Sequence, residues 1–314
     1  MTRLWRVDRI HSHLMGQALR GLTITDLPRP AAKRRVLSIW TELVFTAICH
    51  QTNWDRLHDT VCGIAETCDD AISPERLQLL DGPGFISTFG PGIDSDRLRL
   101  RERLELLRDI GEKASDWPRG ADASWASADS VTLSGDGGLY AWLKRFKAFG
   151  QDPLEKKARV FVHQLLRLGL ITVSDPNHIA PAVDYHLSRY YVRTGRVIPL
   201  NEDITKRLFP DQPARVEFHT HLRRAVEEAM FYTSSGAAMR MDLVNHFEWQ
   251  IARSFCTRKL ARCEGEPLEE KPLDESLRVL HEMHGNCPMF QDCRGARDAA
   301  LRCLVDPRSA REYY

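Results

Sequence analysis

The 314-residue chain carries 44 Lys and Arg against 43 Asp and Glu, a formal net charge of +1, with 43% hydrophobic and 28% charged residues. That balance excludes general disorder and is ample for one or two domains with a substantial core. It offers no global field for nucleic acid, so any such contact must come from local clusters acting within a Debye length of ~8–10 Å. No apolar run approaches the ~20 residues of a membrane span, and Met1-Thr2-Arg3-Leu4-Trp5-Arg6 lacks the apolar core of a signal peptide, so a cytoplasmic location is expected.

Arg29-Pro-Ala-Ala-Lys33-Arg34-Arg35 is the first basic cluster. From Val36 the chain is apolar through Phe45, Ile48 and Cys49, and Trp54, Leu57 and Val61 follow at helical intervals. The polar tip between them, His50-Gln51-Thr52-Asn53, reads as a helix–helix turn or as a loop able to enter a duplex. Cys49, Cys62 and Cys68 read as small buried residues. Ser73-Pro74-Glu75 opens a short helix. Residues 82–92 hold four glycines and two prolines and read as a loop. Asp96 to Lys113 reads as one long amphipathic helix, and 115–138, rich in Ser, Ala, Asp and Gly, as a loop.

Lys144-Arg145-Phe146-Lys147 is the second basic cluster. Asp152-Pro153-Leu154-Glu155 has capping-box form, so a helix is expected from Pro153, burying Leu154, Ala158, Phe161, Leu165 and Leu168. Lys156 and Lys157 fall in its first turn, where cations oppose the helix dipole. They are solvated stems, or one is a desolvated amine able to attack an aldehyde-like carbon. A further helix is expected from about Asp184 to Arg193, with Gly195 closing it. Asp184 itself is an N-cap or a catalytic carboxylate. Helices over Arg215–Tyr232 and Met239–Cys256 complete an all-α reading with no strand pattern and no repeat.

Four cysteines end the chain's chemistry. Cys256 and Cys263 enclose six residues, and Cys287 and Cys293 enclose five. Soft thiolates select zinc or an iron–sulfur cluster, but zinc pairs are usually spaced by two to four residues. Spacing alone leaves three readings: a cluster, zinc, or buried thiols without metal.

Taken together, these features resemble the helix-hairpin-helix DNA glycosylase superfamily, and most closely its iron–sulfur, endonuclease III-like branch. That branch has a Cys-x6-Cys-x2-Cys-x5-Cys loop; this chain keeps the outer spacings and inserts 23 residues, 264–286, in the middle. The run Asn245 to Cys256 is similar to the family's His-x-x-x-Ile-x-x-Gly-Arg-x-x-Cys helix, with Ala252 in place of the glycine. Val183-Asp184-Tyr185-His186-Leu187-Ser188-Arg189 is similar to the Val-Asp-Thr-His-x-x-Arg stretch holding the catalytic aspartate. Phe45 to Asp55 is similar to the segment whose glutamine, here Gln51, fills the gap left by a flipped base. The family hairpin Leu-Pro-Gly-Val-Gly corresponds to Phe146-Lys147-Ala148-Phe149-Gly150, with one glycine. Thr46 stands where the adenine-mismatch branch has glutamate, which disfavours that specificity.

The resemblance implies a two-lobed glycosylase fold. One lobe is 36–180, with a degenerate hairpin near 140–170; the other is 1–35 plus 181–314, carrying the cluster loop. It implies a monomer that excises a damaged or mispaired base from double-stranded DNA, with or without strand cleavage. Asp184 would be the catalytic carboxylate and Lys157 the nucleophile of a bifunctional enzyme, with Lys156 as fallback. Gln51, Lys144, Lys147, Gly150, His186, Arg189 and Arg258 would contact DNA, Arg258 in a basic loop with Lys259 and Arg262. Cys256, Cys263, Cys287 and Cys293 would hold a 4Fe-4S cluster, with zinc as the alternative. A non-catalytic DNA-binding protein that keeps fold and cluster is the competing expectation, and a relative acting on free nucleosides or RNA a third.

Overall fold

The structure is a computed structural model and describes residues 4–22, 35–209, 213–214, 216–263 and 275–309. The chain is predominantly helical, and no helix among the described residues is long and apolar enough to cross a membrane. It divides into two compact units, Met1–Asp26 with Ala180–Glu312, and Leu27–Ile179. The first unit opens with β1 (Trp5–Val7) and α1 (Arg9–Arg20). The second holds α2 (Arg35–Ile48), α3 (Trp54–Thr67), α4 (Pro74–Gln78), α5 (Gly82–Phe89), α6 (Leu100–Lys113), α7 (Leu139–Lys144), α8 (Lys147–Gly150) and α9 (Lys156–Arg167). The chain returns to the first unit with α10 (Tyr185–Arg193), β2 (Val197–Pro199), α11 (Glu202–Lys206), β3 (Pro213–Ala214), α12 (Val216–Ala237) and α13 (Met241–Ser254). It ends with α14 (Glu275–His284), α15 (Arg294–Arg297), α16 (Ala299–Arg302) and β4 (Arg308–Ser309).

In the second unit α2 is the central helix. Ile39, Trp40, Leu43, Val44, Phe45, Ala47 and Ile48 are all buried, and so are Thr41, Glu42 and Thr46, so the helix is buried on every side, as a core helix is. It packs on α3, α6 and α9. Asn53 caps α3 by accepting from Arg56 N at 3.1 Å. The glycine-rich stretch 82–92, expected as a loop, is helical instead: Asp81 accepts from Gly84 N, proline sits in the first turn, and Phe85 and Phe89 are buried. The helix expected from Asp96 begins only at Leu100, because Arg99 takes a left-handed conformation with φ +41°. Residues 115–138 contain a 3-10 helix, Ala121–Ser127, and Trp117 and Trp125 from this stretch pack with Trp40 and Trp142 at centroid distances of 5.2–6.0 Å.

In the first unit α1 and α12 cross at backbone contact. A Cβ on Gly16 would lie 2.1 Å from Thr233 O, and one on Gly236 would lie 2.0 Å from His13 O. Short strands occur where none was expected: β1 pairs antiparallel with β2, and β3 runs parallel to β4. The core also buries an ion pair, Arg196 Nη1 to Glu248 Oε1 at 2.5 Å, with Tyr191 donating to the other carboxylate oxygen. The Arg196 guanidinium lies 3.6 Å from the Tyr191 ring centroid. Arg29–Arg34 of the first basic cluster lie outside the described residues.

Candidate active-site residues and the cysteine loop

Asp184 lies in the first unit and is buried, 6% exposed. It is the N-cap of α10: Oδ1 accepts from Leu187 N at 2.9 Å, and Oδ2 accepts from Trp249 Nε1 of α13 at 3.0 Å. The segment before it is pinned from both sides. Asn245 Oδ1 accepts from Ala182 N at 2.8 Å, and Arg223 Nε donates to Val183 O at 3.0 Å. Next to the carboxylate, Tyr185 stays 42% exposed. His186 stacks on Tyr185 with centroids 4.1 Å apart and presents an edge to Trp249.

Arg189, expected on DNA, is instead only 1% exposed, so its role is internal. Its guanidinium donates to Cys256 O (2.7 Å), Ala252 O (3.1 Å) and Asp306 Oδ1 (2.8 Å), and approaches His186 Nδ1 at 3.1 Å. One turn on, Arg193 donates to Leu304 O and Thr257 O, each at 2.6 Å, and reaches Cys256 Sγ at 3.5 Å. An i, i+4 arginine pair therefore clamps the Asp184 helix to the first cysteine and its loop. Arg258 is likewise committed, donating to Asp306 Oδ2 at 2.5 Å and Asp306 O at 2.8 Å. Of its neighbours, Lys259 is exposed, whereas Arg262 is buried and donates to Thr257 Oγ1.

The inserted residues do not separate the two cysteine pairs. Cys287 N donates to Cys263 O at 3.3 Å, so the chain returns to where it left. Burial pushes the Cys287 thiol well up and lifts Cys293 to about 11, and the other cysteines of the set add to both shifts. Four thiols so placed cannot ionise together unless a cation offsets their charge. Donors packed within 4.8 Å of one another occur, among the described residues, at Glu42, His58 and Cys62 and not at these four. Four soft thiolates suit zinc or an iron–sulfur cluster by donor chemistry. Cys303 is exposed and outside the set.

The second unit holds Gln51 and Lys157. Gln51 turns the chain between α2 and α3 with φ +49°, and its Oε1 accepts from Arg99 Nη1 at 2.7 Å. Arg99 also pairs with Glu102 at 2.8 Å. Asp152 accepts from Leu154 N and Lys156 N, but α9 starts at Lys156, three residues later than expected, because Glu155 is left-handed at φ +55°. Lys157 Nζ donates to Ala47 O at 2.7 Å and lies 3.2 Å from His50 Nδ1. Burial, with Lys156 and Arg103 close by, lowers Lys157 to about 8. His50 falls to about 2, through burial and then the Lys157 and Arg103 charges, so a neutral imidazole accepts from the amine. Lys157 also has a structural role. With Arg103, which donates to Ile48 O and His50 O, it satisfies carbonyls at the C-terminus of α2.

The region of the expected hairpin is α7, α8 and α9. Gly150 is needed there: a Cβ would lie 2.4 Å from Lys144 O. Lys144 pairs with Glu155 at 2.5 Å and Lys147 with Glu105 at 2.6 Å, both pairs partly or largely exposed. Cys68 is exposed and Cys49 and Cys62 are half-buried, contrary to the expectation of three buried cysteines. Trp249, Asn245, Arg223 and Arg99 are the contacts that sequence reasoning missed; only tertiary pairing reveals them. Comparison with protein-family models and with curated proteins returned no match.

Proposed function

We propose that this protein is a DNA base-excision glycosylase with a helix-hairpin-helix glycosylase fold, acting on a damaged or mispaired base in double-stranded DNA. The observation that carries the reading is the Asp184 constellation. A buried carboxylate, held by Leu187 N and Trp249 Nε1, sits on a helix that Arg189 and Arg193 clamp to the Cys256 loop. A base must leave the stack before it can be attacked, at a cost of a few kcal/mol. Gln51 would fill the vacated place. Positive charge then develops on the sugar, and an ionised carboxylate fixed in advance stabilises it without reorganising. Asp184 would also orient the attacking nucleophile.

Lys157 supplies the bifunctional branch. Its lowered amine would attack the sugar C1′, expel the base and form a Schiff base that leads to strand cleavage. With water as nucleophile, only an abasic site remains. Cys256, Cys263, Cys287 and Cys293 would hold a 4Fe-4S cluster, which supplies the positive iron that buried thiolates require and fixes the loop. The anaerobically purified protein is expected to be brown with about four iron atoms per chain; colourless protein with zinc alone contradicts the cluster.

One observation favours a second reading, a non-catalytic DNA-binding protein of the same fold. Both oxygens of Asp184 already serve structural donors, Leu187 N and Trp249 Nε1, a role complete without catalysis. A panel of duplexes, each with one damaged base, separates the two: base release from any of them supports the enzyme, and binding without release supports the alternative.

A further inference from the structure

The turn that carries Gln51 joins two helices that share a cluster of unlike donors. Glu42 comes from α2; His58 and Cys62 come from α3, where a spacing of four places both on one face. Glu42 Oε1 lies 2.7 Å from His58 Nε2, and Cys62 Sγ lies 3.7 Å from the same nitrogen. One carboxylate oxygen, one imidazole nitrogen and one sulfur therefore lie within 4.8 Å of one another. The His58 ring is set by the Phe45 ring, 4.8 Å away and nearly perpendicular.

A second, independent observation points to a ligand. Glu42 is buried, its side chain 4% exposed, and its Oε2 has no hydrogen-bond partner. A buried carboxylate oxygen in this state is costly, and a bound cation would satisfy it. The His58 side chain is 27% exposed, which leaves an entry path.

We propose that Glu42, His58 and Cys62 form a site for one divalent transition-metal cation, zinc by donor chemistry, separate from the four-cysteine set. Carboxylate, imidazole and thiolate together match zinc's borderline softness and exclude calcium and magnesium. Tetrahedral bonds of about 2.0–2.3 Å require donor separations of ~3.3–3.8 Å. The sulfur–nitrogen distance already meets that range, and the oxygen–nitrogen distance needs about half an ångström. Three protein ligands leave one position for water. The ion would tie α2 to α3 beside the turn that bears Gln51.

The test is metal content of the full-length protein. Wild type, Glu42→Gln, Cys62→Ser and the exposed-cysteine control Cys68→Ser are each loaded with zinc, dialysed and assayed for zinc and iron. Wild type and Cys68→Ser should retain one zinc equivalent more than Glu42→Gln and Cys62→Ser, with iron equal in all four. Equal zinc in all four, including none, overturns the site. Should the variants not fold, X-ray absorption at the zinc edge of wild type decides: a mixed shell with nitrogen or oxygen beside sulfur supports the site, and a sulfur-only shell or no bound zinc overturns it.

Discussion

The amine of Lys157 touches Ala47 O and His50 Nδ1, a placement that both caps α2 and lowers the amine to about 8. In the proposed function the neutral amine is the nucleophile, and its fraction rises with pH, from about one tenth at pH 7 to about nine tenths at pH 9. Borohydride trapping of a DNA adduct should therefore rise through pH 8 and level off above it, and should vanish in Lys157→Ala. A trapped adduct that survives in Lys157→Ala removes the assignment. Asp184→Asn keeps a competent N-cap, but its amide NH2 replaces one of the two accepting oxygens and would face a donor, Leu187 N or Trp249 Nε1. It should cost about 1–3 kcal/mol of stability, read from a denaturant midpoint. Base release should fall by about a hundredfold or more. Asp184 could be picked out from its neighbours in sequence, whereas Trp249, the donor to its second oxygen, could not: their pairing joins two helices 65 residues apart.

Among the elements, α10 links two candidate sites, with Asp184 at its start and Arg189 and Arg193 gripping the Cys256 loop. Arg189→Ala leaves Asp306, Cys256 O and Ala252 O short of a buried donor. Removing one member of a buried pair costs about 3–5 kcal/mol. The variant should unfold at lower denaturant and lose iron and visible absorbance together; full retention of both would contradict the clamp. Gly16→Ala, whose Cβ would lie 2.1 Å from Thr233 O on α12, should cost about 1–3 kcal/mol by the same measurement. The limits of α10 were legible because Asp184 caps it and Gly195, at φ +75°, follows it. The helix over Gly82–Phe89 was hidden by its composition: four glycines and two prolines in 82–92 signal a turn locally, but Asp81 caps the segment and burial of Phe85 and Phe89 outweighs propensity. Strands of two or three residues carry too little alternation to be read at all.

At the scale of the whole chain, a helical protein is built as two compact units, the first from both ends of the sequence and the second from the middle. The helical class was legible because long segments such as α2 and α12 show sustained apolar spacing. The basic residues were legible as clusters but not as pairs: Lys144, Lys147, Arg189 and Arg258 each meet carboxylates distant in sequence. With a net charge of +1 and these cations committed, binding to undamaged DNA should be weak and should fade as salt rises. The central claim is that Asp184 drives base release. It is tested most directly by single-turnover assay of wild type and Asp184→Asn, side by side, on duplexes that each carry one damaged base. Abasic sites are expected from wild type on at least one duplex and none above background from Asp184→Asn, which should still bind that duplex. Equal release by the two proteins, or release by neither from any duplex, would contradict it.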